Sequence, residues 1–191
     1  MQTYSHTILT AVFNRRHREK ESELPPLEPQ ASIIGSFAPD APLTLLAVIF
    51  IMLDRLDPQE NHSRTGHLFQ EMFFHTRWVK ALHNLFHAPI LTFGYIGLGY
   101  LAWRRGKKWG AWLFWFGVST SAHTLIDIPV HHNDGPLLLF PFDWETRYHS
   151  PVSYWDPKRY GRPFSVAEHL LDIILIGSLV RAWWQHRKSQ K

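Results

Sequence analysis

Four apolar runs, separated by polar and proline-punctuated stretches, set the limits on what this chain can fold into. They are residues 43–53 (LTLLAVIFIML), 88–103 (APILTFGYIGLGYLAW), 109–130 (WGAWLFWFGVSTSAHTLIDIPV) and 170–184 (LLDIILIGSLVRAWW). Crossing a bilayer takes about 20 apolar residues, with about 17 as a lower bound. The third run meets that length, and the second and fourth sit near it. The first is short and reads as a buried helix. None shows the period-2 alternation of a half-buried strand. The third run carries His123 and Asp127, and the fourth carries Asp172. Ionisable groups inside apolar runs are costly and mark function.

The expected fold is therefore all-α, a helical bundle formed by residues 1–191 as a single domain of 191 residues. Two settings remain open. Run length favours a membrane-embedded or membrane-associated bundle, whereas the mean hydropathy of −0.20 suits a soluble or peripheral one. The chain has no cysteine. That excludes a disulfide framework, a thiolate zinc site, an iron–sulfur cluster and a cysteine nucleophile. Met1–Phe13 lacks the basic start and long apolar centre of a signal peptide.

The remaining segments read as follows. Thr3–Lys20 is a short amphipathic helix, with Tyr4, Ile8, Ala11 and Val12 at helical spacing. Residues 21–39 are a Pro-rich connection, and Glu21–Gln30, with its three prolines, is excluded from helix. Asn61–His87 is one helix, and Pro89 stands in the first turn of the next. Residues 133–163 form a long ordered loop rich in Trp, Tyr, Phe and Pro, and 185–191 form a basic tail. Basic clusters (Arg15–Arg18, Arg104–Lys108 and Arg181–Lys191) follow helix ends. There they complement the helix dipole, and they would mark a cytoplasmic face if the helices span. They are not interleaved with aromatics in one stretch, so no nucleic-acid partner is expected despite the net charge of +4.

Thirteen histidines turn attention to the other ends of these helices. If Gly106 is the turn of a helical hairpin, His83 and His87 precede it by 23 and 19 residues, and His123 and Asp127 follow it by 17 and 21. An antiparallel pair then brings all four to one height, about 25–35 Å from the turn. Both pairs are spaced i, i+4, which places each on one helix face. Two such pairs on facing helices make a bundle-core metal site. The bland alternative for His123 and Asp127 is a buried hydrogen-bonded pair. His131, His132 and Asp134 follow at once, and spacing does not separate His131 from His132 as a ligand. Glu168 and Asp172 begin the last helix and His6 precedes the first basic cluster, so all three belong to the same end. His17 and His186 read as solvated, His67–Glu71–His75 as a surface array, and His149 and His169 as structural.

Four sequence elements then resemble a known family: His6-Thr7, Gly35–Asp40 (GSFAPD), His83-Asn84, and His123-x-x-x-Asp127 running through His131, Asp134-Gly135 and Pro141. Together they are similar to the YdjM-like family of membrane-bound metal-dependent hydrolases. More remotely, the ligand order resembles the zinc-dependent phospholipase C and single-strand nuclease superfamily. The resemblance implies ligand roles for His6, Asp40, His83, His123, Asp127 and His131. The phospholipase group closes its site with an HxxxE pair; here Phe164 stands four residues before Glu168, so one or two ions are expected rather than three.

The combined expectation is a metal set drawn from His6, Asp40, His83, His87, His123, Asp127, His131, His132 and Glu168. It would hold Zn²⁺, or else Mn²⁺ or Fe²⁺. Asp40 or Asp127 would act as base or bridge, and metal-activated water would attack a phosphoester, including a lipid-linked one. Lys80, Arg147 or Lys158 would hold the phosphate. Positive-inside counting and the resemblance place the protein in a bacterial inner membrane, with the metal end outside the cytoplasm. The alternative is a non-catalytic membrane protein with a structural or transported metal. No role for Ser150–Pro157 follows from the sequence beyond that of a lid or cap.

Overall fold

The computed structural model describes residues 1–17, 23–56 and 62–189. Among these there are eight α-helices and no strand: α1 Thr3–His17, α2 Pro29–Phe37, α3 Ala41–Leu56, α4 His62–His75, α5 Arg77–His87, α6 Pro89–Arg104, α7 Trp109–Asp127 and α8 Gly161–Ser189. The fold is all-α, as the apolar runs predict.

The α6–α7 hairpin is the frame. Gly106 turns it with φ of +72°, a left-handed conformation that glycine adopts without cost. The two backbones then run in contact. A Cβ on Gly99 would lie 2.3 Å from the Phe114 nitrogen, and one on Gly110 would lie 2.3 Å from the Trp103 nitrogen. Helices approach this closely only where side chains are absent. On its other side α7 receives α2, where a Cβ on Gly35 would lie 2.5 Å from the Phe116 carbonyl oxygen. Helix α1 lies on α2 and carries α8 on its far side, while α3, α4 and α5 form a second group joined to the hairpin through α5. The core packs Phe114, Trp115 and Phe116 against Ala31 and Ala38.

Several expectations need correction. The Pro-rich connection ends at Glu28, because Pro29 opens α2; proline is tolerated at the first helical position, where its missing N–H has no partner to lose. The indole of Trp115 donates to the carbonyls of Pro25 and Pro26, which fixes this segment on α7. The expected helix 61–87 is two helices meeting at Thr76. Run 43–53 is not buried: Leu45 is 63% and Met52 62% exposed. Helix α1 buries Ser5, His6, Thr10, Val12 and Asn14 and leaves Tyr4 exposed, because its neighbours offer polar partners. The basic tail from residue 185 is the last turn of α8 through Ser189. Residues 18–22, 61, 190 and 191, on which parts of these expectations fall, lie outside the described residues. From 131 to 160 the chain is irregular apart from the short turn Pro157–Arg159.

Among the described residues only α8 is by itself long and apolar enough to cross a membrane, with 11% of its most apolar window buried. Counting the bent pairs α2–α3 and α5–α6 as single spans raises the number to three.

Candidate metal centre

Asp127 stands at the C-terminal end of α7 with both carboxylate oxygens engaged. Its Oδ2 lies 3.0 Å from His123 Nε2, 3.3 Å from His87 Nε2 and 3.7 Å from His131 Nε2. Its Oδ1 lies 3.0 Å from His6 Nε2 and 2.8 Å from the Met1 amino nitrogen. Asp40 approaches from the α2–α3 turn, with Oδ1 3.5 Å from His123 Nε2. Asp40, His87, His123 and Asp127 each offer one ligand atom, and all four atoms lie within 4.8 Å of one another. This group could hold a metal ion.

The rings of His123 and His87 are oriented by their neighbours. His123 donates from Nδ1 to the Ser36 carbonyl at 2.7 Å, so in the neutral ring the lone pair is on Nε2, which faces the two carboxylates. The close approach of Gly35 to α7 is what carries that carbonyl to the ring. His87 presents Nε2 to Asp127 while its Nδ1 lies 3.2 Å from His83 Nε2. The Nε2 atoms of both His87 and His123 are buried and have no hydrogen-bond partner. Orphaned buried nitrogens aimed at carboxylates are costly without a cation. His6 stacks on His123 with ring centroids 3.6 Å apart. Thr3 donates its hydroxyl to Asp40 Oδ2.

No family model, no curated protein and no solved structure matches this chain.

The other expected ligands fall at graded distances. His6 and His131 touch Asp127 but lie outside the four-atom group. His131 is the nearer of the adjacent pair: its Nδ1 lies 3.2 Å from Asp134 Oδ2, and Tyr154 packs on its ring. His132 turns away, donating from Nδ1 to the Ser150 carbonyl at 2.6 Å. His83 stands behind His87 as an orienting neighbour. Glu168 accepts from the Gln2 amide at 2.6 Å, so it fastens the N-terminal backbone to α8. Asp172 does likewise through Ser5. Burial would raise the pKa of Asp134, but the adjacent His131 ring and the Trp155 indole, which donates to its Oδ2 at 2.8 Å, outweigh this and hold it at about 2.

A cavity of about 820 Å³ opens onto Asp40 and His87, within the size range of small-molecule sites, about 300–1,000 Å³. Helices α3 and α4 form one wall; residues 131–134 and 153–159 form the other. Of the cations expected to meet a phosphate, none lines it. Arg147 donates to the Gly135 carbonyl and lies over the Phe73 ring, and burial lowers its pKa to about 10. Among the described residues that line the cavity, Arg159 is the only Lys or Arg. Sequence reasoning also missed Thr3, the Ser36 carbonyl and the orienting role of Asp134. Only the last had a signal, its spacing of three from His131.

Proposed function

We propose that this chain is a membrane-associated, metal-dependent hydrolase of a phosphoester. Zn²⁺ is its preferred ion, with Mn²⁺ or Fe²⁺ as substitutes, at one or two ions per chain. The observation that carries the reading is the group Asp40, His87, His123 and Asp127. Its donor atoms lie within 4.8 Å, it has two orphaned imidazole nitrogens, and it borders an open cavity. Two imidazoles and two carboxylates suit these ions. A structural zinc is enclosed, whereas the cavity leaves room for a substrate beside the donors.

A divalent ion held there would supply Lewis acidity and lower the pKa of a bound water to about 7. The chain's own residues do the rest. Asp127 directs one oxygen toward His87 and His123 and the other toward His6, an arrangement that suits a bridge between two ions. Asp40 is 21% exposed at the cavity edge and is placed to take a proton from water there. Thr3 and Ser36 fix the orientation of Asp40 and His123. Arg159 offers charge-assisted hydrogen bonds to a phosphate oxygen.

Helix α8 supports the membrane setting. Its basic end carries Arg181, Arg187 and Lys188, and Arg15 of α1 donates to its Ser178 carbonyl, so two basic helix ends lie together. With the positive-inside rule this favours a metal end outside the cytoplasm. The resemblance to the YdjM-like family extends the reading to a bacterial inner membrane.

The test is elemental analysis of untagged protein beside the His123→Ala/Asp127→Ala double variant. About one or two ions per chain in the parent and none in the variant is the expected result. Lowering the pH should release the ion, because protonated imidazole cannot ligate. Absence of metal in the parent after incubation with excess Zn²⁺ and Mn²⁺ would overturn the reading. Bound metal with no turnover of any phosphoester would leave a structural ion.

A further inference from the structure

Two carboxylates of α8 are buried and lie outside the four-atom metal group. Glu168 and Asp172 are 4% and 6% exposed, one turn apart on one face of a helix that is otherwise mostly exposed. Burying a carboxylate is costly, and acids on a helix apolar enough to cross a membrane mark a function. We infer that Glu168 and Asp172 are positioning residues of the metal centre. They hold α1 against α8 in the rotation that brings Thr3 to Asp40 and His6 to Asp127. The seam between α1 and α8 is independent of the proposed hydrolase reading; its consequence for a bound ion rests on that reading.

Three observations carry it. First, the seam is a ladder of matched polar contacts. The Gln2 amide donates to Glu168 Oε1 at 2.6 Å, and the Tyr4 hydroxyl lies 2.9 Å from His169 Nε2. The Ser5 hydroxyl donates to Asp172 Oδ2 at 2.8 Å, and the Arg15 guanidinium donates to the Ser178 carbonyl at 3.2 Å. The partners rise together along both helices, so α1 and α8 run parallel in a fixed register. Second, little else sets the rotation of α1. It buries Ser5, His6, Thr10, Val12 and Asn14, of which only Val12 is apolar. Hydrophobic burial is non-directional, and here there is little of it. On the α2 side, Thr7 accepts from the Ser36 hydroxyl at 3.1 Å.

Third, residues that meet α8 alternate with residues that meet the metal centre. Gln2 and Ser5 meet α8. Thr3 and His6, each one residue further on, meet the metal centre. Thr3 donates to Asp40 Oδ2, His6 Nε2 lies 3.0 Å from Asp127 Oδ1, and the His6 ring stacks on His123 with centroids 3.6 Å apart. One residue is about 100° of helix rotation. A carboxylate that fixes Gln2 or Ser5 therefore fixes Thr3 or His6 as well, and these in turn orient Asp40 and Asp127. Glu168 Oε2 is buried without a hydrogen-bond partner, so the experiment separates positioning from direct ligation of an ion.

The full chain in nonionic detergent is titrated with Co²⁺ and read by visible absorption. The variants are Glu168→Ala/Asp172→Ala and Glu168→Gln/Asp172→Asn. The amides keep a carbonyl oxygen for the Gln2 amide and the Ser5 hydroxyl but lose the charge that draws a divalent ion. The alanine pair should weaken Co²⁺ binding about tenfold, as removal of a group behind a metal ligand does, and shift the absorption bands. The amide pair should restore the parent's affinity and spectrum. An equal loss in the amide pair would make the acids ligands, and parent-like binding in the alanine pair would make them bystanders; either overturns the inference. If the alanine pair does not fold, Ser5→Ala decides in its place. It cuts one rung and should weaken Co²⁺ binding several-fold, and parent-like binding there overturns the inference. Amide hydrogen exchange reads the seam without an ion. In the alanine pair, exchange at residues 3–10 and 37–40 should rise while α6 and α7 stay as slow as in the parent. A rise across α6 and α7 as well would mean general loosening and overturn the inference. If the parent binds no Co²⁺, the hydrolase reading falls alone, and unchanged exchange at residues 3–10 then overturns the positioning role.

Discussion

Helices α7 and α8 look alike in sequence: both are apolar, both carry acids at the same end of the molecule, and both have basic residues toward the other end. In the structure they are opposites. Helix α7 buries most of its length, including Phe114, Trp115, His123 and Asp127, while α8 buries only Gly161, Glu168, Asp172 and Ala182. The difference lies in small residues. Gly110 and Gly117 let α6 close on α7 backbone to backbone, and Gly35 lets α2 do the same. Helix α8 presents Ile173, Ile174, Trp183 and Trp184 outward, at 67%, 67%, 51% and 60% exposure, and its inward contact is to α1 and the short turn before it. Apolarity alone does not distinguish a helix that is buried in the protein from one that stays exposed; the distribution of side-chain size does.

That contrast can be broken by substitution. The largest effect is expected on α8. Ile173→Arg with Ile174→Arg should oppose membrane insertion by about 5–7 kcal/mol and move the protein from the membrane to the soluble or aggregated fraction on flotation. Retention in the membrane would refute α8 as a span. Next, Gly110→Ala in α7 places a methyl 2.3 Å from a backbone nitrogen. It should cost about 3 kcal/mol, read as a lowered melting temperature in detergent. A smaller loss, about 1–3 kcal/mol, is expected for Asp172→Ala, which leaves the buried Ser5 hydroxyl without its acceptor. The smallest effect carries the opposite sign. Gly177→Ala on α8 meets nothing within 4 Å and should stabilise by up to about 1 kcal/mol through helix propensity. Equal effects of the two glycine substitutions would mean that α7 and α8 share one environment.

Much of the metal end was legible because hairpin geometry is local arithmetic. Once Gly106 is a turn, the heights of His87, His123 and Asp127 follow from the rise per residue. Asp40 was legible only through the resemblance of its motif, since the residues between it and α7 carry no fixed register. His83, His132 and Glu168 share the height or the motif of ligands but lie outside the four-atom group, while His83 Nδ1 and Glu168 Oε2 are buried without a hydrogen-bond partner. Spacing places a residue on a helix face and says nothing of what its second nitrogen or oxygen meets. Arg159 was missed in favour of Lys80, Arg147 and Lys158 for the same reason: the choice depends on how an irregular turn folds back over a cavity.

The sequence by itself determined the all-α class, the turn at Gly106, the clustering of acids and histidines at one end and of bases at the other. Periodicity, proline and glycine act within a few residues, so they can be read along the chain. The tertiary structure alone decided which apolar helix is buried, which tautomer His123 adopts against the Ser36 carbonyl, and which cation faces the cavity. Each of these depends on a contact between segments far apart in sequence, and local chemistry does not encode who the partner will be.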